Sequence, residues 1–544
     1  KLSFLSKGAI KPGRSLRKPW IRPRQPKMKA CLGPFPKRQE IAQLLSDVNV
    51  RKVAHDIKTE LSLLETLGFV VDGWTFDIML AAYLLGAGER NHDLPTLAQQ
   101  RLSLSVPTDG SAIDEARAVI RIAPLLRADL VRERLMGVFV RFELPLIPVL
   151  SSMERNGIKI DRPYFALLAV DMRKNKATME QRMTKLVGKE FNPASPLQLA
   201  EILFIRLGLS SKGIKKGKTG FSTAAPELEK LRGKHPLIEM VEEYREISKL
   251  LSTYVEVMPS LAAMNDRVHT TFHQVVTATG RLSSSDPNMQ NIPIRSELGR
   301  KIRRGFIAEK GFLLLSCDYS QIELRIVAAL AKDEKMLEAF RRHEDIHIST
   351  AAAIFGVPRE QVSKEQRRAA KAINFGMIYG QGPMGLSSSA GITPQEAKRF
   401  INAYFDIYHG IRHYMEETKK RAAQDGYVET MFGRRRPLPE IHSPLAQVRA
   451  QAERMAINMP VQGTAADITK LAMIEVHRRL GDISAHTKML LQVHDELLLE
   501  VPENDVMKVA GFVKRAMEQA EKMIVPIVVD AKYGKNWEEM EAIR

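Results

Sequence analysis

Partway along the stretch GFLLLSCDYSQIELRIVAALA the period of the apolar positions changes. An unbroken apolar run of strand length ends at Asp318, and from Ile322 apolar residues recur at three and four, which predicts a strand followed at once by a helix. Asp318 is therefore expected at a strand end. A second pair of apolar runs, KMLLQV and ELLLEVP, flanks His494 and Asp495 and predicts a hairpin with Asp495 at or beside its turn. Between these regions lies EQRRAAKAINFGMIYGQG, where Arg367, Lys371, Phe375 and Tyr379 recur at intervals of four. Each such step advances about 40° around a helix, so the four side chains share a stripe roughly 120° wide.

The rest of the chain is less pointed. Residues 38–135 read as mixed helix and strand, and the scattered acids Asp56, Glu60, Asp72, Asp77 and Asp93 read as solvated helix faces. From Phe142 to Thr271 long helical patterns dominate, as in PELEKLRGKHPLIEMVEEYREISKLLSTYVEVM. They are interrupted by SSKGIKKGKTG, whose Lys212, Lys215, Lys216 and Lys218 form a cationic loop able to track a phosphate backbone or simply to be solvated. Two segments, 277–295 and 453–467, look too polar for ordinary core. Their Arg281, Gln290, Asn291, Arg454, Asn458 and Gln462 suit the acceptors of a nucleic-acid minor groove. Turns and helix caps would use the same residue types.

Composition narrows the class. A chain of 544 residues suggests three or four units, and a net charge of +19 points to polyanions. Twelve of those charges lie in residues 1–38, which hold no acid and six prolines; this segment reads as a basic tail or linker, with a targeting remnant as the alternative. The body then carries only +7. Cys31 and Cys317 supply neither a disulfide framework nor a cysteine zinc site. No uninterrupted apolar stretch reaches the roughly 18 residues of a membrane span.

The chemistry that these positions permit is phosphoryl transfer. If the two predicted strand ends are neighbours, Asp318 and Asp495 could hold a pair of metal ions suited to in-line displacement; an aspartate at such a junction, taken alone, is more often a helix N-cap. The two cations of the stripe would meet a triphosphate and the two aromatics a base and sugar, or the aromatics would simply be core. No G-x-x-x-x-G-K-[ST] string occurs, so a P-loop ATPase is unsupported.

Taken together and in order, TATGRLSSSDPNMQNIPIR, DYSQIELR, RRAAKAINFGMIYG, MFGRRRPLPEI, MPVQGTAADI and QVHDE closely resemble family A DNA polymerases of the bacterial DNA polymerase I large-fragment type. The resemblance covers about residues 39–544. It implies a multidomain α+β and α/β fold: a right-hand polymerase preceded by a degenerate ribonuclease-H-like 3′–5′ exonuclease domain at 39–139. The implied thumb is 140–275, the palm 276–332 and 441–544, and the fingers 333–440. It further implies two Mg²⁺ ions, replaceable by Mn²⁺, held by Asp318, Asp495 and the Tyr319 carbonyl, with Glu496 close by in the catalytic set. Arg367, Lys371, Phe375, Tyr379, Gln321, Glu323 and His347 are the implied dNTP contacts. Lys371 doubles as a proton donor to pyrophosphate, Glu323 and Tyr379 exclude ribose, and Phe375 discriminates against dideoxynucleotides. Arg281, Gln290, Asn291, Arg454, Asn458, Gln462 and His494 are the implied contacts to primer-template DNA.

The N-terminal side departs from the family pattern. No D-x-E precedes residue 50, the second exonuclease segment runs from Asp56 to Glu60, and Ser111 to Glu115 is the counterpart of the third. The expectation is an inactive exonuclease-like platform, with no 5′-nuclease domain in this chain. The resulting reading is a monomeric, cytoplasmic, nucleoid-associated DNA-templated DNA polymerase without proofreading and without a membrane partner. A single-subunit RNA polymerase or reverse transcriptase also pairs palm aspartates, but Glu323 and QVHDE favour deoxynucleotides. A silent primer-template binder is disfavoured by the joint presence of Asp318, Asp495, Arg367 and Lys371.

Overall fold

A computed structural model describes residues 38–89, 91–106, 112–218, 220–294 and 296–543. Residues 1–37 of the expected basic tail, and Ser111 of the third exonuclease segment, lie outside the described residues. The chain forms two compact units, Lys1–Pro148 and Val149–Arg544.

In the first unit, strands Lys52–Ala54 and Trp74–Asp77 pair in parallel around the helix Ile57–Thr66. Several of its acids are not the solvated helix faces that the sequence suggests. Asp56 and Asp93 cap helices Ile57–Thr66 and Leu94–Leu102, and Asp77, only 1% exposed, caps Ile78–Leu85 by accepting from Leu80 N at 3.0 Å. Its other oxygen accepts from Ile57 N at 2.7 Å. Short acids at these positions satisfy helix donors that would otherwise be orphaned. Glu60 and Glu115 do come close: burial first, then Asp56 and Glu115, raise the Glu60 carboxyl. Among the described residues one helical run, Met136–Asn156, is long and apolar enough to cross a membrane; Arg141 and Glu143 interrupt it.

The second unit is built on a five-stranded antiparallel sheet in the order Lys488–Val493, Glu496–Pro502, Phe312–Tyr319, Val529–Gly534, Glu541–Ala542. Its central strands are apolar on both faces because helix Val506–Glu518 packs on the sheet. Towards the N-terminal end of this unit the predicted long helix beginning at Pro226 is broken. Pro236, which lacks an N–H and cannot continue a helix from upstream, precedes Leu237–Leu250, and a π-turn follows at Leu251–Val255. The lysine-rich insertion forms a small hairpin, Lys216–Gly217 with Gly220–Phe221.

The largest difference from expectation concerns 453–467. It is neither turn nor cap but the middle of a 38-residue helix, Ala446–Ile483, about 57 Å long at 1.5 Å per residue. Nor is the segment wholly outside the core, since Ala456, Ile457, Met459, Val461 and even Asp467 are buried. Its small residues let neighbouring elements close on the helix from several sides, which polarity alone does not reveal.

Candidate active site

Strand register brings the predicted acids together. Asp318 lies opposite Glu496 on one side of its strand and opposite Asp530 on the other, and Tyr319 N–H donates to the Asp495 carbonyl at 3.2 Å. Adjacent strands are about 4.8 Å apart, so carboxylates separated by 177 positions in the chain meet at one end of the sheet. Asp318 does not cap the following helix; that place belongs to Gln321, in the left-handed region at φ 56° with no side-chain cap bond. Asp495 sits in the two-residue turn after His494, itself at φ 56°.

The acids crowd one another. Asp318 opens onto solvent, yet partial burial, then Glu496, Asp495 and Asp530, push its pKa up to about 7. Burial, opposed by Arg281 and reinforced by Glu323, takes Asp495 to about 6. Glu496 is held separately: it accepts from Ser316 Oγ at 2.6 Å and Trp537 Nε1 at 3.0 Å. Arg303 lies 3.8 Å from it and stacks 3.9 Å over the Trp537 ring. Among the described residues no three His, Cys, Asp or Glu side chains form a ready metal cage. The donor set still suits Mg²⁺, which binds through one or two carboxylates and completes its shell with water and substrate phosphates. Mutual repulsion that a divalent cation would relieve points the same way.

Facing the acids is helix Lys364–Ile378, started by a capping box between Ser363 and Gln366. The stripe is not core. Ala370, Ile373, Asn374 and Met377 take the buried face, while Arg367 is exposed and Lys371, Phe375 and Tyr379 are half-buried. Tyr379 follows the helix as its C-cap, and its ring lies 6.4 Å from that of Phe375 at 28°. Arg367 is engaged by Asp345 through Nε at 2.9 Å and Nη2 at 2.7 Å. His347 is buried with its pKa lowered to about 4, chiefly by burial. Asn374 Nδ2 donates to its Nδ1 at 3.0 Å, so this imidazole is neutral and offers Nε2–H as a donor rather than a positive charge.

Glu323, on the helix Ile322–Ala331 that follows the central strand, ties Tyr379 to Arg281. One oxygen accepts from Arg281 Nη2 at 2.5 Å and the other from the Tyr379 hydroxyl at 2.6 Å. A pocket beside Asp495 is lined by Arg281, Gln290, His494 and Lys470, among others. Gln290 donates to Gln492 Oε1 at 2.9 Å, and Gln492 in turn contacts the His494 carbonyl. Asn291 is exposed. On the long helix, Arg454, Asn458 and Gln462 also recur at intervals of four, with Arg454 exposed and the other two half-buried. The buried oxygens Gln321 Oε1 and Asn458 Oδ1 have no hydrogen-bond partner in the structure, as expected of groups kept for a ligand.

Sequence reasoning missed three neighbours. Asp530 and Arg303 carried no motif. Lys470 carried none either, yet it reaches the pocket from the same long helix although only 1% exposed.

Comparison with known proteins shows the family. Residues 162–539 match DNA polymerase family A, and residues 35–112 match the DNA polymerase I, ribonuclease H-like domain. The chain is 42% identical over 524 residues to DNA polymerase I of Pseudomonas aeruginosa, covering 91% of this chain and 57% of that protein. It is 47% identical over 407 residues to the thermostable DNA polymerase I of Thermus aquaticus, covering 74% and 49%. The chain thus spans about half the length of these relatives. Among solved structures, the POL domain of Pol1 from M. smegmatis, in complex with DNA primer-template and dNTP, superposes with a TM-score of 0.89 at 38% identity, covering 94% of this chain and 90% of that one.

Proposed function

This chain belongs to DNA polymerase family A, and on that premise we propose that it extends a primer 3′-hydroxyl with dNTPs on a DNA template, working as a cytoplasmic, nucleoid-associated monomer without proofreading. The observation that carries the reading is the cross-strand meeting of Asp318 with Glu496 and with Asp495 of the preceding turn, opposite a half-exposed stripe of two cations and two aromatics. In the same reading residues 140–275 act as thumb, 276–332 with 441–544 as palm, and 333–440 as fingers.

The primer 3′-hydroxyl gives up its proton to water as its oxygen attacks the α-phosphate, forming one P–O bond as the bond to pyrophosphate breaks. Two Mg²⁺ ions, with Mn²⁺ as a substitute, would be held by Asp318, Asp495 and the Tyr319 carbonyl, and when bound supply Lewis-acid stabilisation of the attacking and departing oxygens. Glu496, already fixed by Ser316 and Trp537, shapes the field around Asp318 and Asp495. Lys371 and Arg367 draw in the triphosphate. Arg367 exchanges Asp345 for a phosphate, and His347 assists as a neutral donor. Lys371 donates a proton to the leaving pyrophosphate. Phe375 packs on the nucleotide, Glu323 and Tyr379 close the space beside C2′, and Gln321 offers its unpartnered Oε1 to the dNTP. Arg281, Asn458, Gln462 and His494 read the primer terminus through acceptors common to all base pairs, with Arg454, Gln290 and Asn291 along the same track.

The reading without proofreading is supported by Asp56, in the second exonuclease segment, being committed to its helix cap. A primer-extension assay with dNTPs, rNTPs and a 3′-mismatched primer in parallel tests the whole reading. Template-dependent extension with dNTPs alone is the expected outcome. Failure to extend with Mg²⁺ or Mn²⁺ rejects the polymerase assignment, and mononucleotide release from the mismatch rejects the exonuclease one.

A further inference from the structure

Arg281 reaches the site from a loop whose shape is set elsewhere. Immediately before it, Gly280 adopts φ +82°, and a methyl there would lie 2.6 Å from Nε and 2.9 Å from Cζ of Arg434. Arg434 comes from the turn between strands Tyr427–Glu429 and Arg435–Pro437. It is 1% exposed and donates through Nε at 2.9 Å and Nη2 at 2.7 Å to Asp467 Oδ1 on the long helix. The other oxygen of Asp467 accepts from Thr430 Oγ1 at 3.0 Å. One turn earlier, Gly463 leaves room for both partners: a methyl there would meet Thr430 Cγ2 at 2.5 Å and the Thr279 carbonyl at 3.0 Å. The Thr277 hydroxyl donates to the Arg281 carbonyl at 2.6 Å, closing the loop over this knot.

We propose that Arg434 is a positioning residue for the polymerase reaction: paired to Asp467, its guanidinium forms the platform on which Gly280 rests and thereby aims Arg281 at Glu323 and the primer terminus. The inference rests on the proposed role of Arg281. A buried ion pair is by itself a poor stabiliser compared with apolar packing, whereas a flat, two-point guanidinium makes a rigid support that a lysine cannot reproduce. Arg434 acts through the loop.

A double-mutant cycle tests this. Single-turnover extension, primer-template affinity and thermal unfolding are measured for wild type, Arg434→Lys, Arg281→Ala and the double variant. Arg434→Lys is expected to slow the extension step about tenfold, the scale of a sub-ångström misplacement, while primer-template affinity changes by less than about twofold. In the Arg281→Ala background the same change should add nothing, since neighbours acting through one another are not additive. Gly280→Ala, which crowds the same contact from the loop side, is read identically if Arg434→Lys does not fold. Multiplying losses, or a loss of DNA affinity in proportion to the rate, overturn the inference while leaving Arg281 in place. An Arg281→Ala variant that extends normally overturns both the inference and the reading of Arg281.

Discussion

The carboxylate of Glu323 is 5% exposed and fixed at both oxygens, by Arg281 at 2.5 Å and by the Tyr379 hydroxyl at 2.6 Å. Burial and the adjacent charge hold the Tyr379 phenol far above its ordinary pKa, so it is always the donor. Tyr379→Phe keeps the ring beside Phe375 and removes this one bond. A hydrogen bond to a charged group is worth about 1.5–3 kcal/mol, or roughly a ten- to hundredfold change in a rate ratio. If the fixed carboxylate is what rejects a 2′-hydroxyl, preference for dNTP over rNTP should fall in Tyr379→Phe by up to that factor. It should fall further in Glu323→Ala, where the obstruction itself is gone. The assay is kcat/KM for matched dCTP and rCTP opposite the same template guanine, which compares transition states directly. Unchanged selectivity in Tyr379→Phe beside collapse in Glu323→Ala would show that the hydroxyl does not hold the carboxylate. Unchanged selectivity in both would remove the sugar gate from this site.

Asp318→Asn and Asp495→Asn should each slow extension by at least about a hundredfold while primer-template binding, followed by fluorescence anisotropy, stays the same or tightens as repulsion of phosphates is reduced. Extension at the normal rate by either refutes the assignment. The buried pair Arg267–Glu500, at 2.5 Å and 6% and 0% exposed, predicts that Glu500→Ala lowers unfolding free energy by about 3–5 kcal/mol, whereas Arg267→Met with Glu500→Leu recovers most of it; denaturant midpoints decide. Burial raises Asp77 from 3.8 to about 6. A carboxyl with a raised folded-state pKa is bound to its proton more tightly in the native chain, so stability should fall as pH rises from about 4 to about 6 and then level. In Asp77→Asn that slope in the unfolding free energy should be absent; an identical slope in both proteins would show that Asp77 is not its source.

Much of the site was legible in advance because it lies where periodicity changes. A strand that ends and a helix that begins within four residues, Asp318 to Ile322, leave little freedom for where the aspartate stands, and His494–Asp495 between two apolar runs admits only a turn. The stripe at Arg367, Lys371, Phe375 and Tyr379 followed from helical geometry, although its half-exposed state did not, because exposure depends on which neighbours cover a face. What stayed hidden was made by contacts between distant segments. Arg434 and Asp467 look like surface charges until the hairpin and the helix meet. Segment 453–467 read as turn because Asn, Gln, Gly and Pro dominate local propensity, yet those small and polar residues are what allow three elements to pack around one helix. Asp77 read as solvated for the opposite reason: nothing local announces that a helix cap will be sealed from water.

The sheet raises a further point about how the acids are placed. Leu314, Leu315, Ser316 and Cys317 are all buried, so the strand lacks the alternation that normally fixes register, and a slip of one residue would cost little apolar burial while turning Asp318 to the other face. The polar contacts along this ladder supply what the apolar residues cannot. Ser316 is bonded to Glu496, and Glu500 joins Arg267 and accepts from Glu309 N at 3.0 Å. None of these bonds survives a slipped register, and each would then leave a buried polar group unsatisfied at about 1–3 kcal/mol. On this reasoning, the apolar replacement of Arg267 and Glu500 separates stability from alignment: it should restore the unfolding midpoint yet leave extension slower than in the parent chain, because it removes the buried side-chain bonds that mark the register at that end of the strand. Full extension at full stability would mean that the Ser316–Glu496 bond alone suffices to set the register.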